Sequence, residues 1–70
     1  MNIETMVHNA NQIAAFFEAW PEEEAAAAVE DHLRKFWEPR MRTQILEYAK
    51  QGGTGLSRLA SAGISRLMPA

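Results

Sequence analysis

The sequence predicts an all-α protein: a small three-helix domain followed by a short fourth, C-terminal amphipathic helix. Three observations carry this. Apolar residues recur at spacings of three and four along most of the chain, the period of one helical face. Pro21 and Pro39 cut that pattern into segments of helical length. No stretch alternates apolar and polar residues as a half-buried strand does.

The first helix is expected over about 3–19. Ile3, Met6, Val7, Ala10, Ile13, Ala14, Phe17 and Trp20 share one face, and Asn2 is suited to the N-cap. Pro21 disfavours the helical conformation at Trp20, which places the end near Ala19. Pro21 then fits the first position of a second helix over 21–37. Glu22, Glu23 and Glu24 fall in its first turn, where the helix dipole favours negative charge. Ala25–Ala28 has the highest intrinsic helix propensity, and Val29, Leu33 and Phe36 continue one face.

Pro39 opposes the carbonyl of Lys35 and pushes Glu38 away from the helical region. The second helix is therefore read as ending near Trp37 and a third as spanning 39–50. A continuous helix kinked at Pro39 is the alternative. Met41, Ile45, Tyr48 and Ala49 carry the third face, widened by Leu46. These three helices make a unit over 1–51. Residues 52–55 (GGTG) read as a glycine-rich linker, since glycine takes a left-handed cap conformation cheaply. Leu56, Leu59, Ala60, Ile64, Leu67 and Met68 mark an amphipathic segment over 56–68. Gly63 weakens it by roughly 1 kcal/mol relative to alanine. Short helices are marginal alone, so this segment needs a surface to lie on.

With 70 residues the chain is one small domain, whose core rarely supplies more than about 3–5 kcal/mol. It has no cysteine, which excludes a disulfide scaffold, thiolate zinc, an iron–sulfur cluster and a Cys nucleophile. Apolar residues at 47% and charged residues at 23% argue against wholesale disorder. No run approaches 18 apolar residues, so no membrane span is expected. The first residues have neither the charge nor the apolar run of a signal peptide, and a cytoplasmic location is expected. Net charge is −2, but residues 1–33 carry −7 and residues 34–70 carry +5. The two halves either neutralise each other by packing or present a contact surface. The densest basic run is Arg34, Lys35, Arg40 and Arg42 around Glu38. A nucleic-acid binder usually has a stronger basic excess, so none is expected as partner.

Catalytic motifs are lacking. Glu4 and His8 share a face at i,i+4, which is half a metal site at most. The consecutive Glu22–Glu24 point in three directions and cannot work as an acid–base pair. The GGTG run follows no strand and precedes no Lys-Ser/Thr, unlike a phosphate loop. Ser57, Ser61 and Ser65 have no histidine near them in sequence.

The aromatics stand out. Phe16, Phe17, Trp20, Phe36 and Trp37 lie between positions 16 and 37. Each buries roughly 150–250 Å² when enclosed. Adjacent residues on a helix diverge by about 100°. Within each of the pairs Phe16–Phe17 and Phe36–Trp37, one ring therefore suits the core and the other the periphery or another protein. With Trp and Arg so often carrying interface energy, the candidate partner-binding set is Phe16, Trp20, Arg34, Phe36, Trp37, Arg40 and Arg42. The competing reading is a wide core stripe with a solvated basic edge.

Two strings, NQIAAFFEAW (Asn11–Trp20) and HLRKFWEPRMR (His32–Arg42), resemble the delta subunit of NAD-dependent, molybdenum- or tungsten-containing formate dehydrogenase. The fit runs from about residue 3 to 56, and its specific part is Phe-Trp-x-Pro-Arg-Met. The tail matches less closely, Arg58 standing where the pattern has an apolar residue or proline. The resemblance implies a non-catalytic accessory subunit whose partner is the catalytic alpha subunit, or the whole complex. Its role would be to assist cofactor insertion and assembly, or to stabilise the complex. Bis-molybdopterin guanine dinucleotide with Mo or W, iron–sulfur clusters, FMN and the NAD site would belong to the larger subunits, with no cofactor, metal or active site on this chain. The alternative is a helical adaptor or homo-oligomeric unit unrelated to formate oxidation.

Overall fold

The computed structural model describes residues 2–68. Met1, where the expected 1–51 unit begins, and residues 69–70 lie outside that span. The described residues form four helices and no strand, the expected all-α class: α1 (Ile3–Phe16), α2 (Glu22–Phe36), α3 (Pro39–Lys50) and α4 (Arg58–Ser65).

Asn2 caps α1, its side-chain oxygen accepting from the Thr5 N–H at 2.8 Å. The helix ends at Phe16, three residues earlier than expected. From there the backbone tightens to i→i+3 bonds, Phe17 N–H to Ala14 O at 3.0 Å and Trp20 N–H to Phe17 O at 3.0 Å. Pro21 is correspondingly the N-cap of α2 (φ −53°, ψ 142°) rather than its first helical residue. Pro39 does open α3. The chain breaks there instead of kinking, because Trp37 (ψ 141°) and Glu38 (ψ 151°) are both extended.

Gly52 ends α3 with a left-handed turn (φ 119°). The Gly52 N–H bonds Ala49 O at 3.2 Å and the Gly53 N–H bonds Tyr48 O at 3.0 Å, the paired closure of a Schellman cap. The 52–55 segment is tied down on both sides. Asn11 donates to Gly55 O and accepts from the Ser57 N–H, both at 2.8 Å, and the Tyr48 hydroxyl donates to Thr54 O at 2.6 Å. Ser57 then caps α4 through the Ala60 N–H at 3.1 Å.

α4 touches all three other helices. Met6, Ala10, Ala14, Val29, Leu33, Trp37, Ile45, Leu46, Ala60, Ile64 and Leu67 form one buried cluster. The surface required by the 56–68 segment is therefore the domain's own core. α2 and α4 approach most closely at Gly63: a Cβ there would lie 2.4 Å from Val29 Cγ1 and 2.6 Å from Val29 Cβ. The glycine that weakens α4 as a helix is what lets it pack.

Charges from the two halves meet where α2 and α4 pack. Glu22 pairs with Arg58 at 3.0 Å, and Glu30 accepts from Arg66 Nε at 2.9 Å and from Arg34 Nε at 2.8 Å. The Arg34 hydrogen bond, seconded by Arg66 and opposed by partial desolvation, holds the Glu30 carboxyl below its ordinary value. A depressed folded-state value contributes stability above the unfolded carboxylate range, near pH 4.3, and loses it as pH falls through the folded value. Glu30→Gln should accordingly be less stable than the parent at pH 7. Thermal melts from pH 7 to 2.5 should show that gap closing below about pH 4.3. A gap independent of pH would show that the two guanidinium contacts do not favour the charged carboxylate.

Candidate functional site

The aromatic pairs divide as helix geometry requires. Phe36 is 72% exposed while Trp37 is 9% exposed, and Phe16 is 77% exposed while Phe17 is half-buried against the core. Phe36 shares the face of Val29 and Leu33 by spacing, yet it points outward. The chain leaves the helix at Trp37, and the extended backbone there accompanies an indole placed in the core.

Two of the seven candidate partner residues are turned inward. Trp37 belongs to the buried cluster and cannot act as a free anchor. Arg42 is half-buried at the C-terminal end of α2. Its guanidinium donates to Arg34 O at 3.2 Å, to Leu33 O at 3.5 Å and to Trp37 O. It reaches carbonyls at the end of the helix, of which Leu33 O also accepts from the Trp37 N–H, and complements the negative end of the helix dipole. Arg34 is exposed but engaged, with Glu30 and with Arg66 O at 3.3 Å. Phe16, Trp20, Phe36 and Arg40 remain at the surface.

The exposed rings flank a groove of about 510 Å³ between α1 and α2, lined by Asn9, Gln12, Ile13, Phe16, Phe17, His32 and Trp37. On the α1 side the rings run in sequence: Phe16 to Phe17 at 5.0 Å and Phe17 to Trp20 at 5.0 Å, both edge-to-face. On the α2 side the His32 ring lies 4.7 Å from the Phe36 ring. Trp37 joins the lining while belonging to the buried cluster, so the indole serves the core and the groove together.

Sequence reasoning singled out Phe16 and Trp37 of this lining but missed Asn9, Gln12, Ile13, Phe17 and His32 as site residues. The signal was present: Asn9, Gln12, Ile13 and Phe16 share one helical face, and His32 and Phe36 are four apart. Nothing in the sequence says that these two faces oppose each other.

Among the described residues no three His, Asp or Glu side chains gather as a metal site. His8 is exposed, and Ser57 is occupied as a cap. No helix in this span is long and apolar enough to cross a membrane. The groove offers aromatic area, two side-chain amides and the His32 imidazole.

Residues 5–64 match the family model described as NADH-dependant formate dehydrogenase delta subunit FdsD. No curated protein and no solved structure matches the chain. A match over so much of a 70-residue chain shows that it belongs to the delta-subunit family of NADH-dependent formate dehydrogenases.

Proposed function

We propose that the chain is a non-catalytic accessory subunit that docks on the catalytic subunit of its formate dehydrogenase through the α1–α2 groove, assisting cofactor insertion or stabilising the assembled complex. One observation supports this above the others: two phenylalanines more than 70% exposed, Phe16 and Phe36, stand beside an aromatic groove on a very small domain. Apolar area of this kind, bordered by polar residues, characterises protein contact sites. The family supplies the context, since its members are subunits of a larger enzyme.

The revised patch is Phe16, Trp20 and Phe36, with Arg40 as an exposed cation near its α2–α3 end and Trp37 in the groove lining. Arg34 and Arg42 hold the scaffold. Bis-molybdopterin guanine dinucleotide, iron–sulfur clusters, FMN and NAD belong on this reading to the partner subunits. The described residues of this chain offer no ligand cluster for a metal, and the sequence has no thiolate.

Phe16→Ala combined with Phe36→Ala tests the patch. Both positions are exposed, so the variant should melt within about 0.5 kcal/mol of the parent per site. Co-expressed with the dehydrogenase, it should co-purify at least about tenfold less, as loss of an anchor worth about 2 kcal/mol or more requires. Molybdenum or tungsten content and formate-oxidising activity should fall with it. Parent-level recovery, metal content and activity would remove the docking role. Trp37→Ala is unsuitable for this test, because it also opens the core.

A further inference from the structure

A smaller pocket of about 80 Å³ opens where the end of α2, the start of α3 and the residues after α4 meet, lined by Arg34, Pro39, Arg42, Thr43 and Leu67. It shares no lining residue with the α1–α2 groove, so it stands whether or not that groove docks a partner. We infer that this pocket binds a phosphate group, held by the N–H groups that Arg34 and Arg42 do not spend on the fold. Its volume suits one compact anion rather than a drug-sized ligand, whose pockets run to about 300–1,000 Å³. Arg34, Pro39 and Thr43 are exposed, so the pocket is open to solvent. No carboxylate lines it among the described residues.

A guanidinium carries five donors in a planar fork that matches phosphate oxygens. Arg42 makes its hydrogen bonds from Nη1 alone, to Leu33 O, Arg34 O and Trp37 O, so Nε and Nη2 have no partner among the described residues. Arg34 spends Nε on Glu30 and Nη2 on Arg66 O, which leaves Nη1. The Thr43 hydroxyl also has no partner among the described residues. The charges are as unbalanced as the hydrogen bonds. Arg34 and Arg66 share the one Glu30 carboxylate, and Arg42 has none, so two positive charges in this corner lack a counter-charge. A phosphate group near pH 7 carries about −1.5 to −2. The carbonyls at the end of α2, which would repel an anion, are covered by Arg42 Nη1. The start of α3 adds a favourable dipole, since its N-cap Glu38 makes no side-chain capping bond.

The test titrates inorganic phosphate into the full chain at constant ionic strength, by calorimetry and by thermal melting. Phosphate should bind at least about tenfold more tightly than acetate, because its oxygens engage both forks where a carboxylate engages one. At ten times its Kd it should raise the melting temperature by about 4 °C or more. Arg34→Gln should weaken binding about tenfold, as loss of a hydrogen bond to a charged group does. Thr43→Glu places a carboxylate in the pocket from an exposed position, so it should abolish binding while melting like the parent without phosphate. A nucleoside monophosphate that binds as tightly as inorganic phosphate would support a site for a phosphate ester whose remainder lies outside. Binding of inorganic phosphate alone would support a site for the free ion. Absence of any heat or melting shift would overturn the inference. Equal affinity for phosphate and acetate would reduce it to counter-ion screening and overturn it also. Phosphate affinity unchanged in both variants would place the anion elsewhere, with the same consequence.

Discussion

Gly63→Ala should destabilise the protein by about 1–3 kcal/mol, against a helix-propensity gain of roughly 1 kcal/mol expected from the same change. The added methyl group would sit 2.4 Å from Val29 Cγ1 and 2.6 Å from Val29 Cβ, with Ala26 O at 3.3 Å. These are not soft neighbours. Valine is stiff at χ1, and the carbonyl belongs to the α2 backbone, so α2 and α4 must separate. Separation loosens the cluster around Val29, Ala60 and Ile64, all 0% exposed. For a domain of this size each kcal/mol lowers the melting temperature by about 4–8 °C. Adding Val29→Ala removes the Cγ1 contact but leaves Cβ at 2.6 Å, so the double variant should be rescued only in part, with a favourable coupling near the low end of about 0.5–3 kcal/mol in a double-mutant cycle. A higher melting temperature for Gly63→Ala alone would mean that the two helices are not in close contact.

Ile64→Ala should have a still larger effect. Ile64 is fully buried, and removing such a side chain costs about 2–5 kcal/mol. A domain of this length commands about 3–5 kcal/mol in all, so the variant should be largely unfolded near 25 °C and lose its cooperative melt. Leu67→Ala, 2% exposed, should behave similarly even though it lies beyond the last helical residue. Arg58→Ala is the control on the same helix, because an exposed pair such as Arg58–Glu22 contributes about 0–1 kcal/mol. A sharp melt for Ile64→Ala within 1 kcal/mol of the parent would show that α4 is an appendage to a self-sufficient three-helix core.

The groove illustrates why a site is harder to read than a helix. The α1 face that lines it is written in local spacing, and so is the His32–Phe36 neighbour pair. Their opposition across α1 and α2 is a long-range contact with no local signature. The two arginine outcomes have the same origin. Arg42 resembles a free interface cation in sequence, but the extended residues Trp37 and Glu38 turn α3 so that its guanidinium meets the end of α2. Asn11 reads as an ordinary helix residue and proves to be the clamp on Gly55 and Ser57, 44 and 46 positions away.

Local chemistry alone determined the all-α class, the caps at Asn2 and Gly52, an interruption at Pro39 that could be a break or a kink, and the rule that each adjacent aromatic pair must split. These follow from backbone sterics, hydrogen-bond accounting and helical periodicity, which act over a few residues. Only the tertiary structure decided which ring of each pair faces inward, that α4 completes the core, and that Gly63 is a contact rather than a weakness. Those outcomes depend on how four short amphipathic faces fill one shared volume, and no segment carries that information by itself.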